Sequence, residues 1–285
     1  MSGTDAARGL SIRDLTLTIA TKQAETPILR GIDLEVPAGH VTGLAGESGS
    51  GKTMTGLAVC GLQPAGSVVG GTVELNGERM SVPNLLTLRS HALNRVRGRE
   101  VAMVFQDPTA SLHPMISLGG QLTDHMRHHL GLSKKDARDR AVGLLERVHV
   151  PSPREALERY PHQFSGGQLQ RIAIASAIAC DPGVLIADEP TTALDVTVQA
   201  GVLRLLRELC DDLGLAVLLV THDLGVMSSV ADTIAVMHQG EIVEHGDRYQ
   251  VIRDPSSDYT RSLIESLPHT PPPGAGLDQE VPDAR

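Results

Sequence analysis

Residues 46–53 read GESGSGKT and directly follow the apolar run of residues 40–45. They fit G-x-x-x-x-G-K-[ST] at every defining position, between an expected strand and an expected helix that begins near Lys52. The glycines let successive N–H groups converge on an anion, and the helix N-terminus adds positive charge. Lys52 can reach the β- and γ-phosphates of a nucleotide, and Thr53 offers a hydroxyl to Mg²⁺. The alternative is a glycine-rich turn that binds nothing, and the motifs further along the chain argue against it.

A pair of carboxylates follows another apolar segment. Residues 183–190 read GVLIADEP, an expected strand that ends at Asp188 and Glu189. Buried parallel strands are apolar throughout, and ligands bind beyond their carboxyl ends. We therefore expect Asp188 to hold the water shell of Mg²⁺ opposite Thr53, and Glu189 to orient or deprotonate an attacking water. The alternative is a strand end whose acids only meet solvent.

Two more polar side chains occupy the same kind of position. The short apolar segment of residues 100–105 delivers Gln106, and the apolar segment of residues 214–220 delivers His222. A lone histidine is usually structural, but the shared strand-end position favours a contact between His222 and the γ-phosphate.

A second anion site is expected where residues 164–171, FSGGQLQR, run into a helix. Ser165 is a suitable N-cap, and Gly166 and Gly167 permit close approach of another backbone or a ligand. With the N–H groups around Gln168, this helix tip can bind an anion. The phosphate loop already serves that purpose once, so the second site raises the question of what it binds.

The elements that must position these residues follow from the patterns between them. Apolar residues alternate in residues 15–19 and 32–36, and residues 71–77 end in an Asn-Gly turn, which together indicate an antiparallel β layer. Residues 108–162 change to helical spacing, with helices expected at 115–130 and at 134–148 after the cap Ser133. Strands at 232–237 and 241–245 and a helix at 256–267 are expected to close the fold.

The histidine cluster of the helical region invites a metal hypothesis. His125 and His129 are four residues apart on one helix face, with His128 beside them. Because no fixed acidic or thiol partner accompanies them, a solvated helix face is the favoured interpretation.

Composition excludes several classes of protein. The 285 residues are 41% hydrophobic, which allows a substantial core, and the formal net charge of -9 argues against a nucleic-acid partner. The three cysteines Cys60, Cys180 and Cys210 are widely spaced, which indicates a reducing compartment without zinc or iron-sulfur sites. No apolar run approaches the ~20 residues of a membrane span, so we expect a cytosolic chain that reaches a membrane only through a partner.

These motifs together resemble the nucleotide-binding subunit of ATP-binding cassette (ABC) transporters, over roughly residues 10–267. The phosphate loop GESGSGKT, the Q-loop glutamine, the signature FSGGQLQR, the acidic strand VLIADEP, the D-loop ALD and the switch histidine stand in the family's order. The signature is the most specific of them. The resemblance implies ATP and Mg²⁺ as ligands and an α/β fold, with a phosphate-loop NTPase core, a mainly parallel sheet, an antiparallel β layer and an inserted helical subdomain.

The resemblance also assigns the site residues. It implies that the catalytic residues are Glu189, His222, Lys52 and Gln106. It implies that Mg²⁺ is bound by Thr53, Gln106 and Asp188. The expected nucleotide contacts are Gly46, Glu47, Ser48, Gly49, Ser50, Gly51, Lys52, Thr53, Met54, Ser165, Gly166, Gly167, Gln168 and Asp195. The expected divisions are a disordered tail (1–9), the core with its β layer (10–106), the helical subdomain (107–163), the returning core (164–238), a C-terminal extension (239–267) and a disordered tail (268–285).

Four stretches, FQDPTASLHP, YPHQFSGGQ, ADEPTTALDVTVQA and SSDYTRSLIESLP, look more narrowly like the peptide and nickel import subfamily. That resemblance implies a bacterial importer of oligopeptides, dipeptides or metal chelates. Its partners would be a second ATPase subunit, identical or related, two membrane permeases and an external substrate-binding protein. The ATPase would lie peripherally on the cytoplasmic face of the membrane. ATP would close the dimer, with the signature helix of one subunit capping the γ-phosphate held by the other, and Asp195 would couple the two sites.

The chain departs from the family pattern in three places. The family stacks an aromatic residue on adenine in the first strand, where this chain has Ile19. The signature opens with Phe164 in place of the commoner leucine, and no cysteine follows Cys210, whereas some relatives have a C-terminal iron-sulfur cluster. The missing ring predicts a weaker grip on the base, since base–aromatic stacking contributes about 1 to 3 kcal/mol in nucleic-acid complexes.

Three other functions compete with this one. Cassette ATPases of DNA repair carry coiled coils or zinc modules and those of translation carry two cassettes, neither of which is found here. An exporter ATPase is disfavoured by the import-type stretches. A binding module without catalysis is disfavoured because Glu189 and His222 are both present.

Overall fold

A computed structural model of the chain describes residues 9–20, 24–76, 81–192 and 194–266. The strands are β1 (Gly9–Ala20), β2 (Glu25–Pro37), β3 (Val41–Ala45), β4 (Ser67–Asn76), β5 (Ser81–Val82), β6 (Val101–Val104), β7 (Val184–Asp188), β8 (Ala216–Val220), β9 (Thr233–His238) and β10 (Glu241–Asp247). The helices are α1 (Lys52–Val59), α2 (Ser90–Val96), α3 (Pro108–Ser111), α4 (Leu118–Leu130), α5 (Lys134–Arg147), α6 (Pro153–Ala156), α7 (Gly166–Ala177), α8 (Val196–Leu213), α9 (Leu224–Val230), α10 (Arg248–Arg253) and α11 (Asp258–Glu265).

The first sheet is the antiparallel layer that the alternating pattern predicts. Its order is β2-β1-β4-β5, with β1 antiparallel to both β2 and β4. Leu15 and Leu17 are fully buried on its inner face, as period-two alternation requires. Gly9 already belongs to β1 and pairs with Pro37 and Asn76, so the expected N-terminal tail is one residue too long. The rest of that tail and the Gly77 end of the turn lie outside the described residues.

The second sheet has the order β10-β9-β3-β8-β7-β6. The five strands from β9 to β6 in this order are parallel to one another, and β10 lies at one edge and is antiparallel to β9. Every residue of β3, β7 and β8 is buried, which explains why these segments are apolar without alternation. All of their carboxyl ends therefore lie at one edge of the sheet.

Two hydrophobic clusters cover this parallel sheet. One joins its face to the helices on one side, including Ile172 and Leu206, and the other joins the opposite face to the antiparallel layer and α1, including Val59 and Ile186. The phosphate loop and α1 are thus held between two layers. Ile19, at the position where the family resemblance predicts an aromatic ring, is partly buried against the second cluster.

Helices α3 to α6 occupy the region where helical spacing is predicted. Ser133 caps α5 as expected, because its hydroxyl accepts a hydrogen bond from the N–H of Asp136. Helix α4 begins at Leu118, three residues later than predicted, because Ser117 takes the N-cap position and leaves Met115 and Ile116 exposed in the preceding turn. Among the described helices, none is long and apolar enough to cross a bilayer.

Candidate functional site

Four strand ends bring the predicted polar residues to one edge of the parallel sheet. Strand β3 leads into the phosphate loop, β8 into His222, β7 into Glu189, and β6 into Gln106. Since β3, β8, β7 and β6 are consecutive neighbours, the loop and the three side chains share one sheet edge. Ligands of open α/β sheets bind at this kind of edge.

The phosphate loop depends on glycine at two positions. Gly51 caps α1 in the left-handed region, with a φ of 110°, and Gly46 has a φ of 146°. A Cβ at Gly46 would lie 2.2 Å from the carbonyl oxygen of Met237, so the loop can approach the end of β9 only because no side chain is present. The sequence motif explains these glycines by the close approach of a phosphate to the backbone. The structure shows that Gly46 also allows the loop to pack against β9.

Lys52 lies under the loop and is buried. Its ammonium donates hydrogen bonds to the carbonyl oxygens of Gly46 and Glu47, both at 2.7 Å, and approaches the hydroxyl of Ser50 at 3.5 Å. Burial lowers the pKa of Lys52, and the neighbouring carboxylates of Glu189 and Asp188 oppose that shift. The positive charge is therefore held at the centre of the loop by oxygen atoms of the loop itself.

Thr53 and Asp188 meet as the sequence predicts. The Thr53 hydroxyl donates to Oδ1 of Asp188 at 3.1 Å, although 135 positions separate the two residues. Burial raises the pKa of the Asp188 carboxyl, and the Thr53 hydrogen bond partly offsets this effect. A cation at this point would favour the ionised carboxylate.

Glu189 adopts an unusual backbone conformation directly after β7. Its φ is 44°, in the left-handed region, and its N–H donates to the carbonyl oxygen of Val220 at 2.8 Å. The hydrogen bond extends the β7–β8 pairing by one residue, and the turn then directs the side chain across the sheet edge. Non-glycine residues adopt this conformation rarely, and such residues are frequent at active sites.

Three side chains surround the Glu189 carboxylate. Nδ1 of His222 lies 3.1 Å from Oε1, while Thr192 and Gln106 donate to Oε2 at 2.8 and 3.3 Å. Burial would raise the pKa of Glu189, but the hydrogen bonds from Thr192 and His222 and the Lys52 charge hold it below its ordinary value. The carboxylate is therefore ionised at neutral pH. The sequence analysis does not predict Thr192 as a site residue. Its position three residues after Glu189, in the segment DEPTT, is the feature of the sequence that could have indicated it.

The signature segment forms the predicted helix cap. The Ser165 hydroxyl accepts from the Gln168 N–H at 3.4 Å, and the Gln168 side chain accepts from the Ser165 N–H at 3.0 Å. Ser165 and Gly166 are exposed. The two glycines differ, however, because a Cβ at Gly167 would lie 2.4 Å from Cγ1 of Val198. Gly167 therefore allows close packing of α7 against α8 within the chain, whereas a Cβ at Gly166 would meet only Cδ2 of Leu194, at 3.7 Å.

Asp195 is exposed and caps α8, with Oδ1 accepting from the Val198 N–H at 3.0 Å. Among the described residues, no hydrogen bond joins residues 165–168 to the phosphate loop. The chain thus brings the loop, Asp188, Glu189, Gln106 and His222 together, and it presents the signature and Asp195 at its surface.

The histidine cluster differs from a simple solvated face. His128 is exposed, but His125 and His129 are half-buried and packed edge to face at 4.9 Å. His125 also lies against Gly98, since a Cβ there would come within 2.7 Å of its ring. Burial lowers the pKa of His125 and of His129. Helix α4 packs closely against the loop at Gly98, and this packing explains why His125 and His129 are half-buried and not fully solvated. The periodicity of a single helix does not show which neighbouring segment covers its face.

A family model for ABC transporters matches residues 29–192. The chain belongs to the ABC transporter family. The oligopeptide transport ATP-binding protein OppD of Bacillus subtilis (strain 168) is 41% identical to it over 263 residues, which are 92% of this chain and 72% of that protein. A putative peptide import ATP-binding protein of Brucella melitensis biotype 1 is 41% identical over 261 residues, which are 91% of this chain and 77% of that protein.

The fold of this ABC ATPase also matches solved cassettes. A post-hydrolysis dimer of the cassette MJ0796 bound to ADP and Pi superposes with a TM-score of 0.71 and 26% identity, covering 84% of this chain and 98% of that one. The predicted phosphate-loop α/β fold is confirmed. As an ABC ATPase, the chain binds and hydrolyses ATP.

Proposed function

We propose that this ABC ATPase powers a bacterial importer of short peptides. The observation that carries the ATPase part is the convergence of Gln106, Thr192 and His222 on the Glu189 carboxylate beside the phosphate loop. The peptide part is supported by relatives about 40% identical over nine-tenths of the chain, whose names specify oligopeptide transport and peptide import. Metal chelates such as nickel complexes remain the competing cargo that the sequence resemblance suggests.

The phosphate loop would hold the triphosphate. A Cβ added at Gly49 would meet no atom of the described residues within 4 Å, apart from its chain neighbours, and Ser48 is exposed, so the tip of the loop is accessible. Backbone N–H groups of residues 51–54, around the N-terminus of α1, supply donors for the phosphate oxygens. The Lys52 ammonium would exchange a loop carbonyl for a phosphate oxygen, which is a stronger, charge-assisted partner.

Mg²⁺ fits the oxygen donors next to the loop. Mg²⁺ in nucleotide sites is bound through one or two carboxylates together with substrate phosphates, and it prefers hard oxygen ligands. Thr53 and Asp188 supply a hydroxyl and a carboxylate 3.1 Å apart, and Gln106 adds an amide oxygen at the same edge. The ion would neutralise charge on the phosphates.

Hydrolysis would begin at Glu189, which is ionised and can accept a proton from water. His222 is hydrogen-bonded to this carboxylate and has a side chain 57% exposed, so it can turn toward the γ-phosphate. The Gln106 amide reaches the same carboxylate from β6 and can position the water. Lys52 would stabilise the charge that develops on the phosphoryl group.

A second subunit would complete the site. The exposed tip of α7 offers donors around Ser165 and Gly166 that nothing in the described chain brings to its own phosphate loop. In a facing dimer, this tip would cap the γ-phosphate held by the partner, and the exposed Asp195 would join the two sites. Hydrogen bonds to a charged group contribute about 1.5 to 3 kcal/mol each, so a few of them can shift an open–closed equilibrium decisively.

The importer would also contain two permeases and an external binding protein, with the ATPase on the cytoplasmic face of the membrane. A groove of about 240 Å³ between β6 and the helical region is lined mainly by apolar residues, including Val104, Phe105 and Leu112, together with Arg97 and His125. Phe105 is 39% exposed and directly precedes Gln106. A cytoplasmic segment of a permease seated in this groove would sense the movement of Gln106 when nucleotide binds.

Uptake measurements test the cargo. Cells that lack this gene are supplied with labelled dipeptides, labelled oligopeptides or a nickel chelate, and are complemented with the parent gene or with Glu189→Gln. We expect the parent gene alone to restore peptide uptake. Restoration of nickel uptake without peptide uptake would assign the other cargo. Co-purification with ribosomes or DNA instead of membrane proteins would replace the transport function with that of a soluble cassette.

A further inference from the structure

Helix α11, the last helix of the described residues, contacts the phosphate loop. The N–H of Glu47, the second residue of the loop, donates a hydrogen bond to the phenolic oxygen of Tyr259 at 3.3 Å, across 212 positions of sequence. Burial raises the pKa of the Tyr259 phenol, so it remains protonated at neutral pH. A segment that carries none of the recognised ATPase motifs is thus bonded to the loop that binds nucleotide.

Two anchors fix α11 in this place. The buried carboxylate of Glu244, in β10, accepts hydrogen bonds from the N–H groups of Ser256 and Ser257 at 2.7 and 3.2 Å, just before the helix. Leu263 is buried in the core on the helix itself. Because the residues before α11 and the helix itself are both anchored, the fold holds Tyr259 against the loop.

The ring of Tyr259 packs on the same turn that supports the rest of the loop. It lies on the His238 ring, with centroids 3.9 Å apart, at the end of β9. Two residues later, the Gly240 N–H donates to the Ser50 carbonyl at 2.9 Å. The β9–β10 turn therefore holds the second half of the loop directly, and it holds the first half through Tyr259.

We propose that Tyr259 is a positioning residue for ATP binding, which acts by fixing the orientation of the Glu47 peptide. The N–H groups of a phosphate loop bind an anion only when successive peptide planes are turned toward it, and Gly46 and Gly49 leave that part of the chain intrinsically flexible. A hydrogen bond at Glu47 removes part of this freedom before the nucleotide arrives. Preorganisation of this kind improves affinity by reducing the ordering that binding must impose.

The experiment measures ATP affinity of the full chain by calorimetry for the parent, Tyr259→Phe and Tyr259→Leu. Phenylalanine keeps the ring on His238 and removes only the hydroxyl, whereas leucine removes both. Tyr249→Phe is the matched control, because Tyr249 lies on α10, is 52% exposed, and has its hydroxyl bonded to Arg248. We expect Tyr259→Phe to weaken ATP binding by about 2- to 10-fold, the effect of one neutral hydrogen bond, and to lower the melting temperature by at most a few degrees. Tyr249→Phe should match the parent.

A second measurement distinguishes an effect on phosphate binding from an effect on adenine binding. Tripolyphosphate should lose affinity for Tyr259→Phe by the same factor as ATP, because the hydroxyl acts on the loop alone. The KM for ATP should rise while kcat at saturating ATP changes less than twofold. If Tyr259→Phe binds ATP like the parent and only Tyr259→Leu loses affinity and melting temperature, the residue is packing and the proposal fails. A loss confined to ATP, with tripolyphosphate unaffected, also overturns it.

Discussion

Replacing Glu189 by glutamine removes the proposed base while leaving its surroundings intact. The carboxylate faces two donors on one oxygen, Thr192 and Gln106, and one histidine nitrogen on the other. A glutamine can keep its carbonyl oxygen toward the two donors and turn its amide toward Nδ1 of His222, which accepts in one tautomer. No buried polar atom is then left without a partner, so the fold and the shape of the site should persist.

The expected loss is therefore chemical. General-base catalysis contributes typically 10² to 10⁴ in rate, or about 3 to 5 kcal/mol of transition-state stabilisation. We expect kcat for ATP hydrolysis to fall by about that factor in Glu189→Gln. ATP affinity should remain within about twofold or increase, because repulsion between a carboxylate and the γ-phosphate is removed.

The assay is release of phosphate at saturating ATP and Mg²⁺, together with equilibrium binding of ATP and size measurement of the ATP-bound protein. Glu241→Gln, an exposed acid at the start of β10, is the matched control for loss of a charge. If ATP cannot be hydrolysed, the closed dimer should accumulate. A loss of hydrolysis smaller than tenfold, or equal losses in both variants, would refute the assignment of Glu189 as the base.

Three other substitutions test the neighbouring parts of the site. His222→Ala should raise the pKa of Glu189 toward its ordinary value, because a hydrogen bond that lowers this pKa is lost. Since the carboxylate is the active form, the acid limb of the pH profile of kcat/KM should then move to higher pH. An acid limb at the parent's pH would contradict this reasoning. Lys52→Ala should weaken ATP binding by about 10- to 150-fold in calorimetry, as expected for one charge-assisted hydrogen bond, and a change below twofold would exclude the contact. Ser165→Arg should keep ATP binding but abolish ATP-dependent dimer formation; Ser133→Arg removes an equivalent helix cap, worth about 1 kcal/mol, and should leave dimer formation intact. Dimer formation that survives Ser165→Arg would exclude the signature tip from the interface.

The sequence predicts the parts of this fold that depend on local pattern. Fully apolar segments such as residues 184–188 identify buried parallel strands, and Ser133 and Ser165 identify helix starts, because each signal lies within one turn or strand. The meeting of Thr53 with Asp188 is also predictable, since both lie at the carboxyl-end edge of one parallel sheet, with only β8 between β3 and β7. This prediction requires only that the strands are parallel, which their uniformly apolar pattern indicates.

Contacts that depend on packing between distant elements are not predictable in this way. Gly167 packs on Val198, and Tyr259 bonds to the loop at Glu47, yet neither pair shares a motif, a strand end or a periodicity. The start of α4 is missed for a related reason, because residues before the Ser117 cap have helical spacing but do not form the helix. Sequence patterns report which face of an element is apolar, and they leave open which neighbour covers it.

The backbone conformation of Glu189 depends both on the local sequence and on the packing of two strands. A left-handed conformation costs about 1 to 2 kcal/mol at a residue with a side chain, and glycine would avoid that cost. Glycine would also remove the carboxylate on which Gln106, Thr192 and His222 converge. The strained turn is stabilised by the N–H bond to Val220 in β8, the strand that also delivers His222. The same pairing of β7 with β8 therefore fixes both the position of the base and the distance to its histidine partner, so a shift between these strands would change both together.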